Sequence, residues 1–137
     1  MPMQTVALPV VSAIAAGALI IGQMGLLFVV VGVRRKVRQS LGDGGDASLL
    51  RATRRHGNYA ENAAIFVASL ALLEMMGAVR PFVIGLAALF IVGRILHGIG
   101  LSMQKTVNPW RVAGIIATIV AGVTMGVQLV TLGVGHL

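Results

Sequence analysis

Residues 6–38 read VALPVVSAIAAGALIIGQMGLLFVVVGVRRKVR, an uncharged stretch that runs straight into Arg34-Arg35-Lys36-Val37-Arg38. A helix rises about 1.5 Å per residue, and a bilayer's hydrocarbon core is about 30 Å thick, so roughly 20 apolar residues suffice to cross it. Residues 6–33 exceed that length and read as a membrane-crossing helix. The stretch is too long for a signal-peptide core and no positive residue precedes it, so a retained helix is expected rather than a cleaved leader. A basic cluster directly after an apolar span marks a loop held on the cytosolic side.

The rest of the chain repeats the pattern. Of the 137 residues, 57% are hydrophobic and 11% are charged, against about 25% charged in soluble domains. Mean hydropathy is +0.93. Three further spans are expected, over residues 49–76, 81–103 and 109–132. Gly42, Gly44 and Gly45 break the chain after the first span, and Asp46 or Ser48 is placed to cap the next helix. Gly77 closes the second span and Arg80-Pro81 opens the third. Asn108-Pro109 supplies an N-cap followed by proline at the first helical position. The expected architecture is an all-α integral membrane four-helix bundle, one domain over residues 1–137. Four crossings with a cytosolic basic loop put both termini outside. In the last span Gly114, Thr118, Gly122 and Gly126 form a small-residue ridge, suited to packing within the chain or against another subunit.

Charge and composition exclude several functions. The net charge is +7, but residues 34–55 hold seven basic residues against Asp43 and Asp46, so the excess sits beside the apolar spans. That is membrane topology rather than nucleic-acid affinity. Without cysteine, the protein itself has no disulfide, thiolate metal site or cysteine nucleophile. His56 and His97 lack close ligand spacing, so no metal is expected. No serine-nucleophile motif or phosphate loop is present.

The polar residues in or beside the apolar spans carry the functional signal. A charge on a lipid-facing helix costs about 3 kcal/mol or more at the bilayer centre, so such residues face protein or a wet cavity. On the second span Arg51, Arg54, Asn58 and Glu61 follow one another at spacings of 3, 4 and 3. They fall on one helical face with Asn62 beside them, and His56 points elsewhere. The arginines alone also suit a solvated helix end. On the third span Arg94 and His97 share a face, roughly 13 Å and 9 Å below the cytosolic end at about 1.5 Å per residue. Glu61 is the expected counter-charge of Arg94, and the pair also suits a structural role that fixes helix register. Arg111 occupies the first turn of the last helix, where a cation is unfavourable unless an anion binds, or where it anchors the span. Together with Arg34, these residues form one cytosolic-side layer drawn from all four spans. The layer suits a small, multiply charged, amphipathic guest: arginines for carboxylates, Glu61 for an ammonium, Asn58 for amides.

Two motifs carry a family resemblance: Arg51-Ala52-Thr53-Arg54-Arg55-His56-Gly57-Asn58-Tyr59-Ala60-Glu61-Asn62, and Gly93-Arg94-Ile95-Leu96-His97-Gly98-Ile99-Gly100. With Arg111 and the four-span layout, the chain resembles the MAPEG family, the membrane-associated proteins of eicosanoid and glutathione metabolism. The resemblance implies a homotrimer with glutathione as co-substrate, bound between subunits towards the cytosolic side. Carried over by position, Arg51, Arg54, Asn58 and Glu61 hold the peptide, Arg94 and His97 shape the pocket, and Arg111 and Arg34 lie near the thiol. The implied chemistry is attack of an activated thiolate on a lipophilic electrophile, or reduction of a hydroperoxide. Leu101 stands where several family enzymes carry a tyrosine, and Gly57 where some carry an arginine.

The leading expectation is a glutathione-dependent transferase or peroxidase-like protein in a bacterial inner membrane. Its partners are membrane lipid, a lipophilic small molecule and further copies of itself. The alternative is a non-catalytic binding or scaffold protein on the same fold, which Leu101 favours. A small transporter is a third possibility, opposed by the lack of comparable polar residues in the outer halves of the spans.

Overall fold

The computed structural model describes residues 8–103, 105 and 107–137. The chain is all-helical: α1 Val10–Val37, α2 Ala47–Glu61, α3 Ala63–Met75, α4 Arg80–Ser102 and α5 Pro109–Gly135. Three of these, α1, α4 and α5, are long and apolar enough to cross a membrane. The expected start of the first span, residues 6 and 7, lies outside the described residues.

The sequence marks most helix boundaries correctly. Asp46, rather than Ser48, caps α2: its carboxylate accepts from the Ser48 and Leu49 N–H groups, each at 2.8 Å. Asn108 caps α5, its Oδ1 accepting from the Arg111 N–H at 3.0 Å. Gly42, Gly44, Gly45 and Gly77 all take positive φ, the conformation that costs glycine least. Some boundaries move: α1 starts only at Val10 and runs on through Arg34, Arg35 and Lys36 before ending at Arg38 in the left-handed region, and α5 continues to Gly135. Cations in a final turn offset the negative helix C-terminus, so the basic cluster extends α1 instead of ending it.

The expected continuous helix over residues 49–76 is broken in two. At Asn62 (φ −105°, ψ −9°) the backbone N–H turns to the Ala60 carbonyl, while the Asn62 carbonyl accepts from Phe66 N at 3.0 Å and starts α3. With 13 residues, α3 covers only about 20 Å. A crossing on this arm therefore needs the last turns of α2 as well.

Consecutive arms run antiparallel. Arg55 and Phe66 meet Ser102 and Phe90 across the α2–α3 arm and α4. Gly93 and Gly100 face Gly114 and Arg111 across α4 and α5. The loops of α1–α2 and α4–α5 thus share one end, the basic end. The core lies between the helices: Leu19, Phe66, Leu70, Leu73, Val83 and Phe90 are buried, with the Phe66 and Phe90 rings stacked at 3.8 Å. Large apolar side chains such as Ile21, Phe28, Ile119 and Val130 point outward, as suits a molecule whose solvent is lipid.

In lipid, apolar burial drives helix association weakly, and close packing and polar contacts take over. Both are present. A Cβ on Gly114 would lie 2.5 Å from His97 N and 2.6 Å from Gly93 O. Only glycine admits that approach of α4 to α5. The small-residue ridge is therefore divided, since Gly122 and Gly126 meet nothing within 4 Å. At the far end, α1 has no side-chain cap of its own. Glu74 of α3 supplies one: Oε1 accepts from Val11 N at 2.9 Å, and Oε2 from Ser12 N and Oγ at 2.9 and 2.8 Å.

Candidate functional site

The helix break at Asn62 shapes the site. In an unbroken helix the Asn58 carbonyl would accept from the N–H four residues on, which is that of Asn62. Asn62 N–H is turned to Ala60, and the Asn58 carbonyl instead accepts from Arg94 Nη1 at 2.7 Å. Arg94 Nη2 donates to Thr118 Oγ1 on α5, which itself donates to the Gly114 carbonyl at 2.8 Å. The guanidinium carbon stands 5.6 Å from the Phe90 ring centroid, within cation–π range. One buried arginine, 5% exposed, thereby ties together α2, α4 and α5.

The expected pairing of Arg94 with Glu61 is not a direct ion pair, although Glu61 stands near enough to act on Arg94 as a counter-charge. No ion pair joins them among the described residues: Arg94 satisfies its two terminal nitrogens on a backbone carbonyl and a hydroxyl. Glu61 is exposed on α2, its carboxylate lying back along the helix near Gly57. The freed Asn58 carbonyl is a fixed acceptor, whereas a salt bridge would require desolvating Glu61 as well.

Around Arg94 opens a cleft of about 460 Å³, walled by Asn58 and Asn62 from the break, Arg94 and His97 from α4, and Arg111 and Thr118 from α5. Ile115, Ile119 and Val123 make its apolar side. His97 is only 5% exposed. Its imidazole borders the Arg111 backbone carbonyl on α5, and Arg94 Nε has no hydrogen-bond partner among the described residues. Buried polar atoms without partners cost about 1–3 kcal/mol each, so they are rare. The polar side chains that line this cleft together, Asn58, Asn62 and Arg111, are the reason to expect a polar guest. A second groove of about 470 Å³, between α1 and the α2–α3 arm, is lined by Leu19, Ile20, Ala63, Ala64 and Val67, with Gln23 as the one polar side chain among its described lining residues. Without an ionisable wall, it has less to offer a charged ligand.

The expected residues divide accordingly. Asn58, Arg94, His97 and Arg111 share the cleft. Arg54 and Glu61 are exposed on α2 outside it, and Arg51 lines a neighbouring cavity. Arg34 is turned to its own loop, its Nη1 donating to the carbonyls of Gln39, Ser40 and Gly42 at 3.3, 3.2 and 2.9 Å. His56, expected to point away from this face, pairs with Gln23 of α1 at 2.7 Å. Thr118 is legible in the sequence only as part of the ridge. Its role as an Arg94 acceptor depends on which helix comes to face it. Asn108 shows its cap in the sequence but not the second role of its side chain. Nδ2 donates to the Gly100 and Lys105 carbonyls at 2.8 and 3.1 Å, pinning the turn into α5.

Fold and cleft define a multi-pass integral membrane protein with an arginine-lined cleft towards one end of a helical bundle. A sequence model of the MAPEG family matches residues 12–131, nearly the whole chain, and the protein belongs to that family. It is similar to the inner membrane protein YecN of Escherichia coli strains K12 and O6:H1. Each is 34% identical over 95 residues, covering 69% of this chain and 71% of the relative. No solved structure matches the chain.

Proposed function

We propose that this protein is a glutathione-dependent transferase or peroxidase of a bacterial inner membrane, working as a trimer with its basic end towards the cytosol and both termini outside. The observation that carries the reading is a single cleft of about 460 Å³ whose wall gathers Asn58 and Asn62 from the helix break, Arg94 and His97 from α4 and Arg111 from α5. The family's association with glutathione, a peptide thiol with two carboxylates, supplies a guest of matching chemistry. Asn58, Asn62 and His97 offer amide and imidazole hydrogen bonds, and Arg111 offers a cation. A cation near the sulfur favours the thiolate over the thiol. The thiol proton leaves to solvent, and the thiolate then attacks a lipophilic electrophile that enters past Ile115, Ile119 and Val123. Arg54 and Glu61, exposed on a single copy, need polar company at membrane depth. A neighbouring subunit meets that need and would bring them, with Arg51 and Arg34, to the edge of a shared pocket.

The test is direct titration. Detergent-purified protein mixed with glutathione should show thiolate absorbance at a pH where free glutathione remains protonated, and Arg111→Ala should abolish it. A second reading, binding without catalysis, is favoured by Leu101. This side chain cannot donate a hydrogen bond, and it lies on the wall of a different cavity. Saturable glutathione binding with no thiolate signal would establish that reading in place of the first, and absence of binding would remove both.

A further inference from the structure

A second cavity lies at the basic end, about 230 Å³ in volume. Three of its lining residues are cations from three separate elements: Arg51 of α2, Lys105 of the α4–α5 connection and Arg111 of α5. None of its described lining residues is acidic. We propose that this cavity is a phosphate site, filled by the headgroup of an anionic phospholipid or by free phosphate, and that it is distinct from the cleft around His97.

Charge, fixed walls and position all support this assignment. An anion in this space would be attracted by each of the three cations, of which Arg51 also feels the Asp46 carboxylate. The walls are held in place before any ligand arrives. Gly100 lets α5 start directly against α4, since a Cβ there would fall 2.6–2.8 Å from Arg111 N, Cα and Cβ. Asn108, 7% exposed, binds the carbonyls of Gly100 and Lys105 and the N–H of Arg111 at once. Two of the three cations thus stand on backbone fixed by a single buried amide. The apolar lining, Leu50, Leu101 and Met103, suits the glycerol and first methylenes of a lipid. Trp110, exposed beside Arg111, is the kind of residue that marks the bilayer interface, and basic pockets between helices at that level are where anionic headgroups bind. Arg51 and Lys105 line this cavity but not the His97 cleft; Arg111 lies between the two.

The experiment uses the full chain in a zwitterionic detergent at fixed ionic strength. Thermal melting is followed against dioctanoyl-phosphatidylglycerol, dioctanoyl-phosphatidylcholine and inorganic phosphate. Saturable protection by the glycerol lipid, none by the choline lipid, and weak competition by phosphate identify a lipid headgroup. Protection by phosphate alone, saturable and lost in the variants, identifies the free anion. Lys105→Gln and Arg51→Gln should each weaken binding about fivefold, with Lys105→Arg restoring it. Lys105 lies in an exposed connection, so its variant serves even if Arg51→Gln fails to fold. Glutathione binding should be unchanged in Lys105→Gln, which separates failure of this site from failure of the other. No saturable binding of either anion, or undiminished affinity in both glutamine variants, would overturn the proposal.

Discussion

Replacing Gly114 with alanine tests the α4–α5 contact on which the site is built. The added methyl would sit 2.5 Å from His97 N, 2.6 Å from Gly93 O and 2.8 Å from His97 Cβ. The two nearest atoms are backbone, so no side-chain rotation relieves the clash. Restoring an ordinary contact near 3.4 Å requires the helices to part by about 0.9 Å along this seam. Overpacking of this kind costs typically about 1–3 kcal/mol. The same displacement would pull Thr118, one turn on, away from Arg94 and loosen the tie to Asn58. The controls lie on the same helix: Gly122→Ala and Gly126→Ala meet nothing within 4 Å and should change stability by at most about 0.5 kcal/mol. Unfolding in mixed micelles, followed by helical circular dichroism, would measure all three. Glutathione binding should fall in Gly114→Ala and persist in Gly126→Ala; Gly122 lines the cleft itself, so its variant is a control for stability alone. If Gly114→Ala unfolds together with Gly122→Ala, the close approach of α4 and α5 is not what holds this bundle, and the site geometry built on it fails too.

Two further predictions concern the helix ends. Glu74→Gln removes the charge from the acceptor that caps α1 from a different helix. Hydrogen bonds to charged groups contribute about 1.5–3 kcal/mol, so a loss of about 1–2 kcal/mol is expected, with faster hydrogen exchange at Val11 and Ser12. Unchanged exchange there would refute the cap. Asp46 titrates below the usual carboxylate range because the Ser48 hydroxyl and then the Leu49 N–H bond its charged form, despite some opposing desolvation. Its contribution to the α2 start is therefore complete above the ordinary aspartate range and declines as pH falls through its lowered value. Asp46→Asn retains a cap acceptor and should flatten the acid limb of the stability profile while changing little at neutral pH. An unaltered acid limb would show that this group does not drive it.

The membrane class, the apolar arms, the caps of α2 and α5 and the basic end were legible in the residues alone, because these depend on local properties: length of apolar run, positive clusters, capping residues and glycine conformations. The sequence also named Asn58, Arg94, His97 and Arg111, since polar residues in apolar runs stand out wherever the helices pack. Other features were decided only by the tertiary structure. The break at Asn62 has no proline or glycine to announce it. It frees a carbonyl to which Arg94 donates directly, with Glu61 left as a more distant counter-charge, and that arrangement depends on the facing of α2, α4 and α5 rather than on spacing along one helix. The same holds for Glu74 capping a helix some sixty residues away, for Arg34 folding onto its own loop, and for the division of the glycine ridge between packing and open cleft. Spacing along one helix gives the angle and depth of a side chain. The partner at that angle is set by the neighbouring helices, whose separation in lipid depends on a few close glycine contacts and buried hydrogen bonds.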